Sequence, residues 1–135
     1  MKNLFVDPRI PFMGSEDGLS MDQADAVLFG APHGTPYLNI PNEPFASAPD
    51  AMRASLEDDA RWLDHWDFDL DGPLMGYKGF KLADAGNLGT TWDDGVGNRA
   101  MITDATSQIL EVDAIPIMIG GDDSTPIPFI EGLAP

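Results

Sequence analysis

Near the end of the chain an apolar run empties into two glycines and two adjacent carboxylates, Ile117-Met118-Ile119-Gly120-Gly121-Asp122-Asp123-Ser124. Neighbouring carboxylates repel each other unless a cation or hydrogen bonds compensate them. One arrangement turns a carboxylate towards a metal while the other accepts backbone N–H groups. The alternative has both aspartates capping a helix that begins near Ser124. Two more polar groups follow apolar runs in the same way: His33 after Ala24–Pro32, and Asp84 with Asn87 at the end of Phe80–Leu88. His33 has the chemistry of a base, a ligand or a turn residue. His65 lies in an acidic stretch and reads as a surface residue. Ser124 has no histidine at a recognisable spacing and no G-x-S-x-G around it. Neither G-x-G-x-x-G nor a P-loop pattern occurs, so nucleotide chemistry has no support. Spacing alone assigns no catalytic residue.

The elements around these groups set their positions. Ala24–Pro32 reads as a short buried strand running into a Gly/Pro turn. His33–Pro49 follows as a long loop with four prolines, and long loops in compact domains are often functional. A helix is expected from a Ser47 cap, with Pro49 in its first turn and Met52, Leu56, Ala60 and Leu63 on one face. Glu57–Asp71 then carries seven acidic residues, with Trp62 and Trp66 one helical turn apart. It reads as a solvated helix end with two packing tryptophans. Phe80–Leu88 reads as a second strand. Gly97–Asp113 reads as a second helix, N-capped by Asn98 and burying Ile102, Ala105, Ile109 and Val112. Ala114–Gly121 is apolar throughout, as in a parallel strand buried on both faces. Strands alternating with helices indicate an α/β fold. Ligands in open α/β sheets bind beyond the carboxyl ends of the strands, and all three polar groups fall there.

The bulk properties narrow the partners. The 135 residues fit one domain or part of one, and 43% apolar content can supply a core. Fourteen glycines and twelve prolines imply much loop, and residues 1–23 read as an irregular arm lying on the domain or on a neighbouring subunit. A net charge of −16 with seven basic residues argues against nucleic acid and against anionic membranes. It suits a solubilising surface, and it also attracts cations such as amines and guanidines. No apolar run is long enough for a transmembrane helix, and the first residues lack a signal-peptide core. The absence of cysteine rules out disulfides and thiolate sites and is compatible with the expected cytoplasmic location.

Four segments, in order, resemble the N-terminal half of the ureohydrolases, the family of arginase and agmatinase. "VLFGAPHGTPY" (Val27–Tyr37) resembles the family's first strand and G-x-P turn. "ASAPDAMRASL" (Ala46–Leu56) resembles its G-P-x-A-I-R helix start, with Arg53 at the arginine. "LADAGNL" (Leu82–Leu88) resembles its D-x-G-D-V strand end, with Asn87 replacing the second Asp. "IPIMIGGDDSTPIP" (Ile115–Pro128) resembles its P-x-x-L-G-G-D-H-S stretch. The likeness covers residues 24–135. It implies a three-layer α-β-α fold with a parallel sheet, arginase-like, of which this is the N-terminal part.

The resemblance also implies a chemistry. The family cleaves a guanidino compound, agmatine-like in this reading, to urea and an amine with two divalent metals per complete site. Manganese is the usual metal and nickel the alternative. A water bridging the two cations, deprotonated near neutral pH, would attack the guanidinium carbon. Asp123 stands where the family's G-G-D-H-S motif has a metal-ligating His. Asp123 is therefore either a working oxygen ligand, mildly favouring manganese, or the mark of a subunit that has lost its metal. Asp122 reads as part of the turn. His33, Tyr37 and Asn39, in the loop after the first strand, are the candidate substrate-binding residues. The family's D-x-H-x-D and D-x-D-x-x-D ligand motifs do not occur in these residues, so the site is expected to be completed beyond Pro135 or by a second chain. Uncovered sheet edges then predict poor behaviour of an isolated fragment. Expected partners are a cationic guanidino substrate and other subunits of a homo- or hetero-oligomer, a trimer or hexamer. A non-catalytic subunit supporting a catalytic paralogue is the alternative function.

Overall fold

The computed structural model describes residues 4–8, 10–73 and 79–134. In chain order its elements are β1 (Phe5–Val6), β2 (Ala26–Ala31), α1 (Glu43–Ser55), β3 (Trp66–Asp67), β4 (Gly72–Pro73), β5 (Leu82–Leu88), α2 (Gly95–Glu111), β6 (Ile115–Gly120) and α3 (Pro126–Leu133), with 3-10 turns at Met21–Gln23 and Asp58–Trp62. The main sheet has the order β1-β5-β2-β6. β5 and β6 flank β2 in parallel, and β1 runs antiparallel to β5. β3 and β4 form a separate two-stranded ribbon.

β2 is the centre of the core, and all six of its residues are buried. Side chains alternate across a strand, so β2 serves two faces. Val27, Phe29 and Ala31 pack with Ile102, Ala105 and Ile109 of α2, and Phe129 of α3 joins them. Ala26 and Leu28 pack on the other face with Leu82 and Ile119. Gly30 shares that second face and lies under Pro49 of α1, whose Cβ would be 2.8 Å from an added Gly30 Cβ. The sheet is thus sandwiched between α1 and the α2–α3 pair, the three-layer α/β arrangement expected from alternating strands and helices.

Four local expectations are corrected. The N-terminal arm is not wholly irregular: Phe5 and Val6 pair with Leu88 and Asn87, and Phe5 stacks edge-on against Phe29. α1 begins at Glu43 rather than after Ser47, with Pro44 in its first turn and Pro49 inside it. Proline in a helix interior frees the carbonyl four residues back, here that of Phe45, and the Gly121 turn lies close to this carbonyl. α2 begins at Gly95, capped by Asp94, whose side chain accepts from Gly97 N at 2.9 Å. Asn98 is therefore inside the helix and fully buried. Finally, β6 is not buried on both faces: it pairs only with β2 among the described residues, and Ile115 and Ile117 are exposed. Among the described residues no helix is long and apolar enough to cross a membrane.

Candidate functional site

The carboxyl ends of β2 and β6 are tied together by Asp122. Its backbone N–H donates to the His33 carbonyl at 3.2 Å. One carboxylate oxygen accepts the Thr35 N–H at 2.6 Å. The other accepts the Ser124 N–H at 3.0 Å and the Ser124 hydroxyl at 2.6 Å. The Asp122 carbonyl accepts from Thr125 Oγ1 at 2.9 Å. Burial opposes ionisation of Asp122, but the hydrogen bonds from Ser124 and Thr35 outweigh it and hold the carboxyl below its ordinary range. Gly121 makes the approach possible, because a Cβ there would fall 2.0 Å from the His33 carbonyl oxygen. The turn role for Asp122 is what this geometry displays.

His33 is buried, 3% exposed. Its Nδ1 lies 3.0 Å from Asn98 Nδ2. An amide NH2 only donates, so Nδ1 is the acceptor and a neutral His33 carries its proton on Nε2. Asn98 is locked in turn by Thr91, accepting from Thr91 N and donating to the Thr91 carbonyl. Burial, with Arg99 adding to it and Asp122 opposing it, lowers the His33 pKa below the usual histidine value. His33 thus couples the end of β2 to the start of α2. Nothing local in the sequence distinguishes Asn98 in this role from a cap; the pairing spans 65 residues.

At the end of β5, Arg53 reaches from α1 into a buried cluster. Its Nε and Nη2 each contact an Asp84 carboxylate oxygen at 2.8 Å, a bidentate pair, and both side chains are almost wholly buried. Nη1 donates to Asn87 Oδ1 at 2.8 Å, and Asn87 Nδ2 donates to Asp50 at 2.8 Å. Asp84 also accepts the N–H groups of Phe12 and Gly86. Gly86 has φ 84° and lies against the Val6 carbonyl, so β5 bends where only glycine fits. Asp84 and Asn87 therefore hold the α1–β5 frame together, and the fixed charge of Arg53 is matched inside it.

The remaining candidates are at the surface. Asp123 is exposed. Tyr37 is 54% exposed and lines an open cavity of about 540 Å³. Asn39 is exposed in a turn closed by Ile40 N to the Tyr37 carbonyl, at φ 67°. The structure thus joins His33 to Asp122 through the backbone, and leaves Tyr37 and Asn39 further along the same loop.

A metal centre of the kind the resemblance implies needs several converging donors. Among the described residues no three His, Asp or Glu side chains converge to hold an ion. Both oxygens of Asp122 and the Nδ1 of His33 are engaged within the protein. Asp123 is the carboxylate left at this strand end, and one carboxylate does not make the binuclear set. The donors present here do not fit that centre by themselves.

Known proteins place this frame. No curated protein matches the chain. Seven solved chains do. One of these, "Crystal structure of a putative agmatinase from Clostridium difficile", has a TM-score of 0.64 at 20% identity, over 84% of this chain and 38% of that one. At this identity the likeness establishes an arginase-like α/β fold, and the chain spans well under half of that relative. The family model described as the arginase family matches residues 24–135, the whole span of β2 to α3 and all four motifs. The chain belongs to the arginase family.

Proposed function

We propose that this chain is part of a ureohydrolase, which hydrolyses the C–N bond of a guanidino compound, agmatine-like, to urea and an amine. The observation that carries this reading is the Asp122 clasp. It closes the ends of β2 and β6 in the segment that resembles the family's G-G-D-H-S turn and leaves Asp123, the residue standing where that motif has its His, exposed beside the turn. The family match over residues 24–135 supports it. In this reading two divalent metals, Mn2+ or alternatively Ni2+, belong to the complete site, with Asp123 the one ligand from these residues and the other donors from elsewhere in the protein or its oligomer. Catalytic groups other than the ligands are left unassigned. The acidic surface, net charge −16, favours encounter with a cationic substrate.

The test is metal analysis and urea release by the full-length protein on a panel of guanidino compounds. Asp123→Ala should abolish metal retention and urea release, while the metal-free variant and the metal-free wild type should differ in stability by no more than about 0.5 kcal/mol, as for an exposed site. Asp122→Ala should instead destabilise by about 1.5–3 kcal/mol, through lost hydrogen bonds to a charged group. Absence of both metal and urea in the wild-type protein would sink the proposal.

A second reading is favoured by Asp123 itself, an exposed carboxylate where the family motif has histidine. The chain would then be a non-catalytic subunit of a hetero-oligomer with a catalytic paralogue. It predicts co-purification with a second ureohydrolase, and urea release by the purified chain alone would eliminate it.

A further inference from the structure

The segment Glu57–Pro73 supplies none of the side chains at the strand ends, yet it carries a run of uncovered apolar groups. Trp62, Trp66 and Leu70 are each at least half exposed, and Phe68 is 92% exposed. Single exposed apolar residues are normal, whereas a cluster of them marks an interaction site. The backbone holds this cluster out. Asp67 Oδ1 accepts the N–H groups of Asp69 at 2.8 Å and Leu70 at 3.0 Å, and Asp71 continues the turn at φ 52°. β3 and β4 pair on either side of it, with Trp66 opposite Pro73. This ribbon is separate from the main sheet. Two strands alone are marginal in water unless an apolar face is packed, and here the large apolar side chains are left to solvent.

Charge decides what can cover them. The carboxylates of Glu57, Asp58, Asp59, Asp64, Asp69 and Asp71 are all exposed. Arg61 is the only Lys or Arg of the segment, and it is already engaged, 3.6 Å from Asp58 and 5.6 Å over the Trp62 ring. The second of these contacts is a cation held by one of the exposed rings. Another copy of this chain is a poor match. Two such faces would bring like charges together, and the chain's seven Lys and Arg are scattered among 23 Asp and Glu. A complementary surface has apolar side chains for the ribbon and Lys or Arg for the flanking carboxylates.

We propose that the turn Asp58–Trp62 and the ribbon Trp66–Pro73 form a docking surface for a cationic amphipathic segment of another protein, anchored on Phe68 and the two tryptophans. A few aromatic anchors carry most of the binding energy in contacts of this kind. The carboxylates select the partner and steer its approach, and the aromatic side chains hold it. None of these residues belongs to the strand-end site, so the surface is independent of the ureohydrolase reading.

The test is a fluorescence titration of the full-length protein carrying Trp92→Phe, in which the remaining tryptophans of these residues, Trp62 and Trp66, both lie on the surface in question. The probe is a synthetic amphipathic peptide of leucine and lysine. A leucine/glutamate peptide of the same pattern and a serine/lysine peptide of the same charge are the controls. The leucine/lysine peptide should bind saturably and shift tryptophan emission to the blue, the leucine/glutamate peptide should not bind, and the serine/lysine peptide should bind at least about ten-fold more weakly. Phe68→Ser should weaken binding about ten- to one-hundred-fold, the equivalent of burying one phenylalanine side chain. Asp69→Asn should weaken it about two- to five-fold, as for one exposed ion pair, and added salt should weaken it further. Both side chains are exposed, so thermal unfolding of the variants should match that of the parent. Absence of binding by the leucine/lysine peptide, equal binding of the two lysine peptides, or unchanged affinity in Phe68→Ser would overturn the proposal. Self-association that Phe68→Ser abolishes, seen by sedimentation, would also overturn it, by giving the face to a second copy.

Discussion

Replacing Arg53 with Met should cost about 3–5 kcal/mol of stability, the range for removing one partner of a buried ion pair. Arg53 is 1% exposed, and its guanidinium makes three contacts of 2.8 Å, two to Asp84 and one to Asn87. Methionine fills much of the same space, so the loss reports on charge and hydrogen bonds rather than on a cavity. Asp84 would retain the N–H groups of Phe12 and Gly86, which places the expectation towards the lower end. Asn87 Oδ1 would lose its donor while Nδ2 still reaches Asp50. Arg53→Lys should rescue only part of the loss, because an ammonium cannot make the bidentate contact. The double variant Arg53→Met with Asp84→Asn should lose less than the sum of the single variants, since neither then leaves a buried charge unmatched. The assay is urea unfolding of the full-length protein, followed by far-UV circular dichroism, with each variant's midpoint and slope compared. A loss below about 1 kcal/mol for Arg53→Met would refute the reasoning, because that is the worth of an exposed pair. Strict additivity in the double variant would refute the coupling.

Two other outcomes follow from the same geometry. Gly121→Ala places a methyl group 2.0 Å from the His33 carbonyl oxygen and 3.0 Å from that of Phe45, both backbone atoms. Its overpacking should cost about 1–3 kcal/mol and raise amide exchange at Thr35 and Asp122, readable by hydrogen-exchange mass spectrometry. Acid should destabilise the fold in two stages. His33 is held below the ordinary histidine value, so the unfolded chain takes up its proton first, and stability falls as pH drops from about 6.5, the unfolded value, towards the lower folded one. Asp122 is held below the ordinary carboxyl value, so its contribution is complete above about pH 4 and is lost below it. Unfolding midpoints measured from pH 7 to pH 3 should decline throughout, and His33→Gln should flatten the upper part of the curve.

Much of the frame was legible because it is local. The six-residue run Ala26–Ala31 has no polar side chain, and such a run must be covered on both faces. The stripe Ile102, Ala105, Ile109 repeats at helical spacing and is buried as that spacing requires. The expectation of an α/β fold rested on such segments and stands; membership in the arginase family was implied by the resemblance of the four motifs, and it stands too. Helix starts were less legible. Ser47 and Pro49 look like a first turn, yet α1 runs from Glu43 through both. The carbonyl freed by Pro49 lies beside the Gly121 turn, and no local rule anticipates that neighbour.

The sequence by itself determined the alternation of strands and helices, the polar groups at three strand ends and the acidic surface, because periodicity and composition act over a few residues. Tertiary structure alone decided what those polar groups do. Asp122 and Asp123 are neighbours of the same type, and they diverge because Thr35, 87 positions away, brings its N–H to only one of them. Asn98 became a partner of His33 rather than a cap because packing of α2 on β2 brought them together across 65 positions. Asn42, Glu43 and Trp92 carry no local signal as residues, and share a cavity only because two chain segments, residues 36–46 and the loop after β5, meet at one end of the sheet. Hydrogen bonding and electrostatics depend on distances that folding sets, and those distances are not written in the spacing along the chain.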